Sequence, residues 1–144
     1  MPCVRAGDSS TSPQTLLKSS KLSEAWTLDH SASPLCLRGS FTGRDKTDYA
    51  LQLKSKHGNR FSVAIITSDQ KAYLTANEKE IGENYPGPGW KIHPERKRVP
   101  HRIDLNDGPA PVLKSDAILL FKPESSSALL YWKVGHLHLY WLTD

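Results

Sequence analysis

Apolar and polar residues alternate with a period of two over several stretches of the chain, the spacing of strands that turn successive side chains to opposite faces. Tyr49, Leu51 and Leu53 alternate with Ala50, Gln52 and Lys54. Before them Leu35, Leu37 and Gly39 alternate with Cys36, Arg38 and Ser40. A short polar loop separates the two runs, which together predict a hairpin. Over 60–67 both alternating sets are apolar, Phe61, Val63 and Ile65 against Ala64 and Ile66, so both faces of this strand are expected to be covered. A shorter strand is predicted over 71–75. Further on, an apolar strand over 116–121 precedes a second hairpin, whose arms 127–133 and 136–142 meet at Val134-Gly135. In its last arm Leu137, Leu139 and Trp141 share one face, and His136, His138 and Tyr140 share the other.

The N-terminal region reads differently. Ser12 is a suitable N-cap, Pro13 fits the first helical turn, and Leu16 with Leu17 supplies an apolar face, which predicts a helix over 13–20. Leu22, Trp26 and Leu28 continue as a turn or strand that docks this helix. Residues 1–12 are rich in Ser, Thr, Pro and Gly and are expected to form a disordered tail. Between 78 and 102 seven Gly and Pro residues break the regular pattern into a long irregular loop. Within it Trp90 and Ile92 predict a short edge strand, and 101–107 predicts another before the Asn106-Asp107-Gly108 turn. The expected architecture is α+β and mainly β: a single domain over 13–144, with an antiparallel sheet of six or seven strands and an N-terminal helix.

A chain of 144 residues with 38% hydrophobic content can bury a core of its own. Two cysteines, Cys3 in the tail and Cys36 in a predicted strand, do not make a disulfide framework, and Cys36 reads as a small buried apolar residue. No apolar run reaches the roughly 18 to 20 residues of a membrane helix, and the N-terminus lacks the apolar centre of a secretory signal. Those features point to a cytoplasmic protein with no membrane partner. A net charge of +4 suits nucleic acid, anionic surfaces and acidic proteins alike.

The polar loop of the first hairpin has the shape of a calcium loop, in which alternate oxygen side chains converge on an ion. Gly39, Phe41, Gly43, Lys46, Asp48, Tyr49 and Ala50 follow the Asp-Phe-Asn-Gly-Asp-Gly-Lys-Pro-Asp-Tyr-Ala segment of FG-GAP-like repeats. The chain thus resembles the small, functionally uncharacterised bacterial proteins that carry such segments. Asp116-Ala117-Ile118, Glu124 to Ser127, Tyr131-Trp132 and the closing Tyr140 to Asp144 resemble the C-terminal part of the same group. The resemblance implies fold and no activity. It departs at the ligands: Ser40 and Thr42 offer hydroxyls, and Arg44 stands where an acidic ligand would be. The loop is therefore expected to bind calcium poorly and to keep its shape by pairing Arg44 with Asp48.

Three patterns carry candidate chemistry. His136 and His138 lie on one strand face about 7 Å apart, a spacing that suits one transition metal once a third ligand is supplied. A metal-dependent hydrolase is the alternative built on that pair. Lys91, Arg96, Lys97, Arg98 and Arg102 gather positive charge beside Trp90 in the long loop, the composition of a surface for a phosphate backbone or an acidic protein. No activated nucleophile, phosphate-binding glycine loop or Cys-x-x-Cys pair is present. The reading that follows is a non-catalytic binding or protein-interaction module without a cofactor. It uses the basic loop and the aromatic C-terminal hairpin, Tyr140 included, toward a protein partner or a second copy of the chain; nucleic acid is the less favoured ligand.

Overall fold

The computed structural model describes residues 12–57, 60–75, 89–122 and 126–143. The expectations for the tail up to residue 11, for 78–88 and for the Glu124-Ser125 turn lie outside those residues.

The helix α1 (Pro13–Ser19) forms where the sequence places it. Ser12 keeps an extended backbone, and its hydroxyl accepts the Thr15 amide at 3.1 Å. Pro13 takes the first position, where no amide hydrogen is needed. A single 3-10 turn, Leu22–Glu24, then leads into nine strands among the described residues: β1 (Trp26–Leu28), β2 (Cys36–Gly39), β3 (Asp48–Ser55), β4 (Phe61–Ile66), β5 (Ala72–Leu74), β6 (Gly89–His93), β7 (Ala117–Phe121), β8 (Ser127–Lys133) and β9 (His136–Thr143).

These strands form two antiparallel sheets of five and four strands, where the sequence predicts one sheet of six or seven. In the first, β1 and β2 pair with successive parts of one edge of β3, and β4 and β5 follow on its other side. The second is the meander β6-β7-β8-β9. The division has a physical cause in the two-faced apolar strands. Val63 and Ile65 on one face of β4 join Leu37 and Ala50 against Trp90, Ile118, Leu120 and Leu130 of the second sheet. Ala64 and Ile66 on the other face join Leu51 and Leu53 beneath Leu16 and Leu17 of α1. One helix covers one face only, so the second face needs a second cover, which the second sheet supplies.

Trp90 fastens the two sheets at one side. Its side chain is 3% exposed, and its indole Nε1 donates to the Pro34 carbonyl at 2.6 Å. Just before it, Gly89 admits the Phe121 ring: a Cβ there would meet ring carbon Cε2 at 2.5 Å and the Phe121 carbonyl at 2.8 Å. At the opposite side the rings of Tyr73 and Trp132 meet edge to face at 4.7 Å.

Two local readings are revised. The stretch 101–107 is a series of turns, in which the Leu105 amide donates to the Arg102 carbonyl at 3.1 Å. Cys36 is buried as expected but is disulfide-bonded and not a simple apolar filler. The sequence holds one other cysteine, Cys3, outside the described residues.

The turns at 102–106 protect the free edge of β9. The Asn106 carboxamide pairs with the Trp141 backbone as a neighbouring strand would, donating to its carbonyl at 2.9 Å and accepting its amide at 2.8 Å. Arg102 Nη1 donates to the Leu142 carbonyl at 2.6 Å. An open edge is a template for pairing with another chain, and side-chain caps of this kind block it. Asn106→Ala is expected to leave the chain folded and to increase its association through the β9 edge. Light scattering of both proteins across a dilution series checks this, and the same mass as the wild type at high concentration would show that the amide does not guard the edge.

Candidate basic face over the second sheet

The outer face of the second sheet carries Lys91, Leu129, Tyr131, His138, Tyr140 and Leu142, as the register of its strands dictates. The segment 94–115 crosses this face. Val99 is buried there with Ala117, Leu129 and Tyr140, and Ala110 and Leu113 pack beside them. Polar anchors fix the crossing. The His93 Nε2 lies 3.0 Å from the Lys97 carbonyl across a tight turn, and His101 Nδ1 accepts the Ala110 amide at 3.0 Å. The buried Tyr140 hydroxyl accepts the Arg102 amide at 2.7 Å.

The loop that resembles a calcium loop anchors the other end of this segment, by a pairing different from the one expected. Asp48 is 1% exposed, and its Oδ2 accepts the Phe41 amide at 3.0 Å, the Thr42 amide at 2.8 Å and the Thr42 hydroxyl at 2.9 Å. Ser40 Oγ donates to the Lys46 carbonyl at 2.7 Å. The carboxylate is thus filled by hydrogen-bond donors of its own loop, and Arg44 plays no part in it. Arg44 instead reaches outward to Glu95 with Nε 2.6 Å from Oε1, and that partner raises the guanidinium pKa above its already high ordinary value. The expectation of an Arg44–Asp48 pair is corrected: backbone amides lie closer to a buried carboxylate than a long side chain can be held. Two further bonds tie the loop to the second sheet. The Asp116 amide donates to the Ser40 carbonyl at 2.9 Å, and Ser115 Oγ donates to the Phe41 carbonyl at 2.8 Å.

The candidate residues divide accordingly. Arg96, Lys97 and Arg98 are exposed, and no described carboxylate pairs with them. Glu95, the acidic residue beside them, is occupied by Arg44. Lys91 is exposed on the same face. Arg102 is instead part of the β9 edge cap. Its guanidinium also grips both oxygens of Asp104, at 3.0 and 2.9 Å, and holds that carboxyl below the usual carboxylate range. Trp90 and Tyr140 are buried, so neither is a platform for a ligand, and both act by positioning the strands and the loop.

His136 and His138 do sit on one face of β9. The His138 ring stacks on Tyr131 with centroids 5.5 Å apart, its Nε2 lying 3.3 Å from the Lys133 carbonyl, and His136 is exposed at the hairpin turn. His93 and His101, the histidines of the long loop, bond to backbone. Among the described residues no group of three or more His, Cys, Asp or Glu side chains is placed to hold a metal ion.

The sequence reading missed the grooves. One, of about 260 Å³, runs between Arg96–Arg98 and His101 on one side and Ala110 to Leu113 on the other. A second, of about 250 Å³, opens past Pro111 and Val112 toward the β8–β9 turn. A third, of about 500 Å³, lies beyond Tyr131, between 105–109 and β9. The signal that could have located the first two is the exposed apolar pair Val112 and Val134, which lies in loop and turn segments that hydrophobic periodicity does not weigh.

Comparison with protein-family models, with characterised proteins and with solved structures gives no match to this chain. No helix among the described residues is long and apolar enough to cross a membrane.

Proposed function

We propose that the chain is a non-catalytic protein-interaction module that takes an acidic partner on the face formed by 94–115 and the β8–β9 hairpin. The observation that carries this reading is the pairing of Glu95 with Arg44. It neutralises the carboxylate next in sequence to Arg96, Lys97 and Arg98 at the edge of their groove, which then presents its cations to an incoming ligand. The burial of Trp90 and Tyr140 takes both rings of the expected surface out of reach of a base, which favours a protein over a nucleic acid at the basic loop.

The test is titration with poly-glutamate and, separately, with single-stranded poly-dT. Poly-glutamate should bind with an affinity that falls as salt rises, and Arg96→Ala, Lys97→Ala and Arg98→Ala together should weaken it at least about tenfold. Tighter binding of the oligonucleotide, with the same loss in the variant, would replace this reading with the nucleic-acid one.

The loop at 39–50 keeps its likeness to FG-GAP-like segments in this proposal as a support for the basic segment, with Asp48 holding its shape. The disulfide at Cys36 favours an oxidising compartment over the cytoplasm suggested by the N-terminal sequence. A thiol titration of the unfolded, unreduced protein should find no free thiol.

A further inference from the structure

The two smaller grooves meet at Pro111 and Val112, so the basic rim and the cleft at the β8–β9 turn form one trough. The cleft end is apolar in character. Val112 and Val134, at 89% and 85% exposure, line it with Tyr131 and Trp132, and Lys114 and Lys133 belong to the same lining. A single exposed valine on a surface needs no explanation. Two that flank one cleft, continuous with a cationic groove, offer a seat for an apolar side chain beside a seat for carboxylates.

Val134 carries a second cost. It holds φ of 51° at the hairpin turn, a left-handed backbone that a β-branched residue adopts only under strain. Its neighbour Gly135, at φ of 78°, has the residue type such a turn prefers, and asparagine is the preferred residue at position 134. A valine that is both strained and exposed contributes little to the stability of the hairpin. Strain of this kind gathers at sites where a side chain is needed for something else.

From these features, and resting on the reading above, we infer that the partner is an extended acidic protein segment with one apolar anchor. Its carboxylates lie along Arg96 to Arg98, and the anchor, a leucine-sized side chain, enters the cleft between Val112 and Val134. Charge complementarity selects the acidic segment, and the apolar end of the trough selects a polypeptide over a polyphosphate. Lys114 and Lys133 of the same lining hold carboxylates beside the anchor.

The experiment uses the whole chain and a set of short poly-glutamate peptides in which one leucine is moved through each position in turn. In at least one register the leucine should strengthen binding about tenfold or more over the all-glutamate peptide, the gain expected from burying one such side chain. Val134→Asn, which relieves the turn, should raise the melting temperature and yet abolish the leucine gain when combined with Val112→Ser. A leucine that gives no gain in any register, or a gain that survives both substitutions, overturns the anchor while the acidic-partner reading stands. Failure of every peptide to bind, all-glutamate included, overturns that reading itself.

Discussion

Trp90→Ala is expected to destabilise the protein by about 3–5 kcal/mol, the range for removing a large aromatic side chain from a core. The indole lies in the shared core of the two sheets with Ile118 and Leu120, and its Nε1 hydrogen bond reaches the backbone at Pro34. Truncation leaves a cavity between the sheets and an unpaired carbonyl. Trp90→Phe separates the two effects. It keeps most of the apolar contact and loses the hydrogen bond, and should cost about 1–3 kcal/mol. Urea denaturation of both variants gives the two values. A loss below about 1 kcal/mol for Trp90→Ala would mean that the ring is exposed in solution, and Trp90 would then return as a ligand platform in the basic loop.

That experiment bears on how far the sequence could be read. Local signals were legible: Ser12 and Pro13 start the helix, the alternation in β3 and β4 sets which side chains share a face, and Val134-Gly135 turns the last hairpin. Their assembly was not. The apolar residues on both faces of β4 require two covers, and nothing in that strand says whether a cover is a helix, a loop or another sheet. The answer lies in contacts such as that of Trp90 with Pro34, 56 residues apart in the chain. The turns at 101–107 carry strand-like alternation, but Arg102 and Asn106 satisfy backbone groups of β9 and Asp104 holds the guanidinium, so side-chain bonds override the pattern.

The candidate site was legible by composition and misread by geometry. Arg96, Lys97 and Arg98 stand exposed, as a run of cations in a loop should. Arg102 and Tyr140 were grouped with them by proximity in sequence and by residue type, yet a 2.7 Å bond between them closes the loop onto the sheet. Arg44 shows the same limit. Its partner Glu95 is 51 residues away, and a reading confined to one hairpin could offer it only Asp48.

Asp48→Ala should cost about 2–4 kcal/mol and should also weaken binding at the basic face. The stability loss follows from burial: three donors converge on one carboxylate oxygen that is almost wholly removed from water, and without it the Phe41 amide has no acceptor. The binding loss follows from connection. Ser40 and Phe41 accept from Asp116 and Ser115, and the Asp116 carboxylate in turn accepts the Glu95 amide at 3.0 Å, one residue before the cations. Asp48→Asn retains an oxygen at the same position and loses only the charge assistance, about 1–2 kcal/mol, so it should keep the geometry and the affinity. Denaturation curves and poly-glutamate titrations on the two variants read both effects. If the alanine variant loses stability while its poly-glutamate affinity stays at the wild-type value, the loop supports the fold alone, and the basic segment is held in place by its contacts with the second sheet, through Val99, His93 and Tyr140.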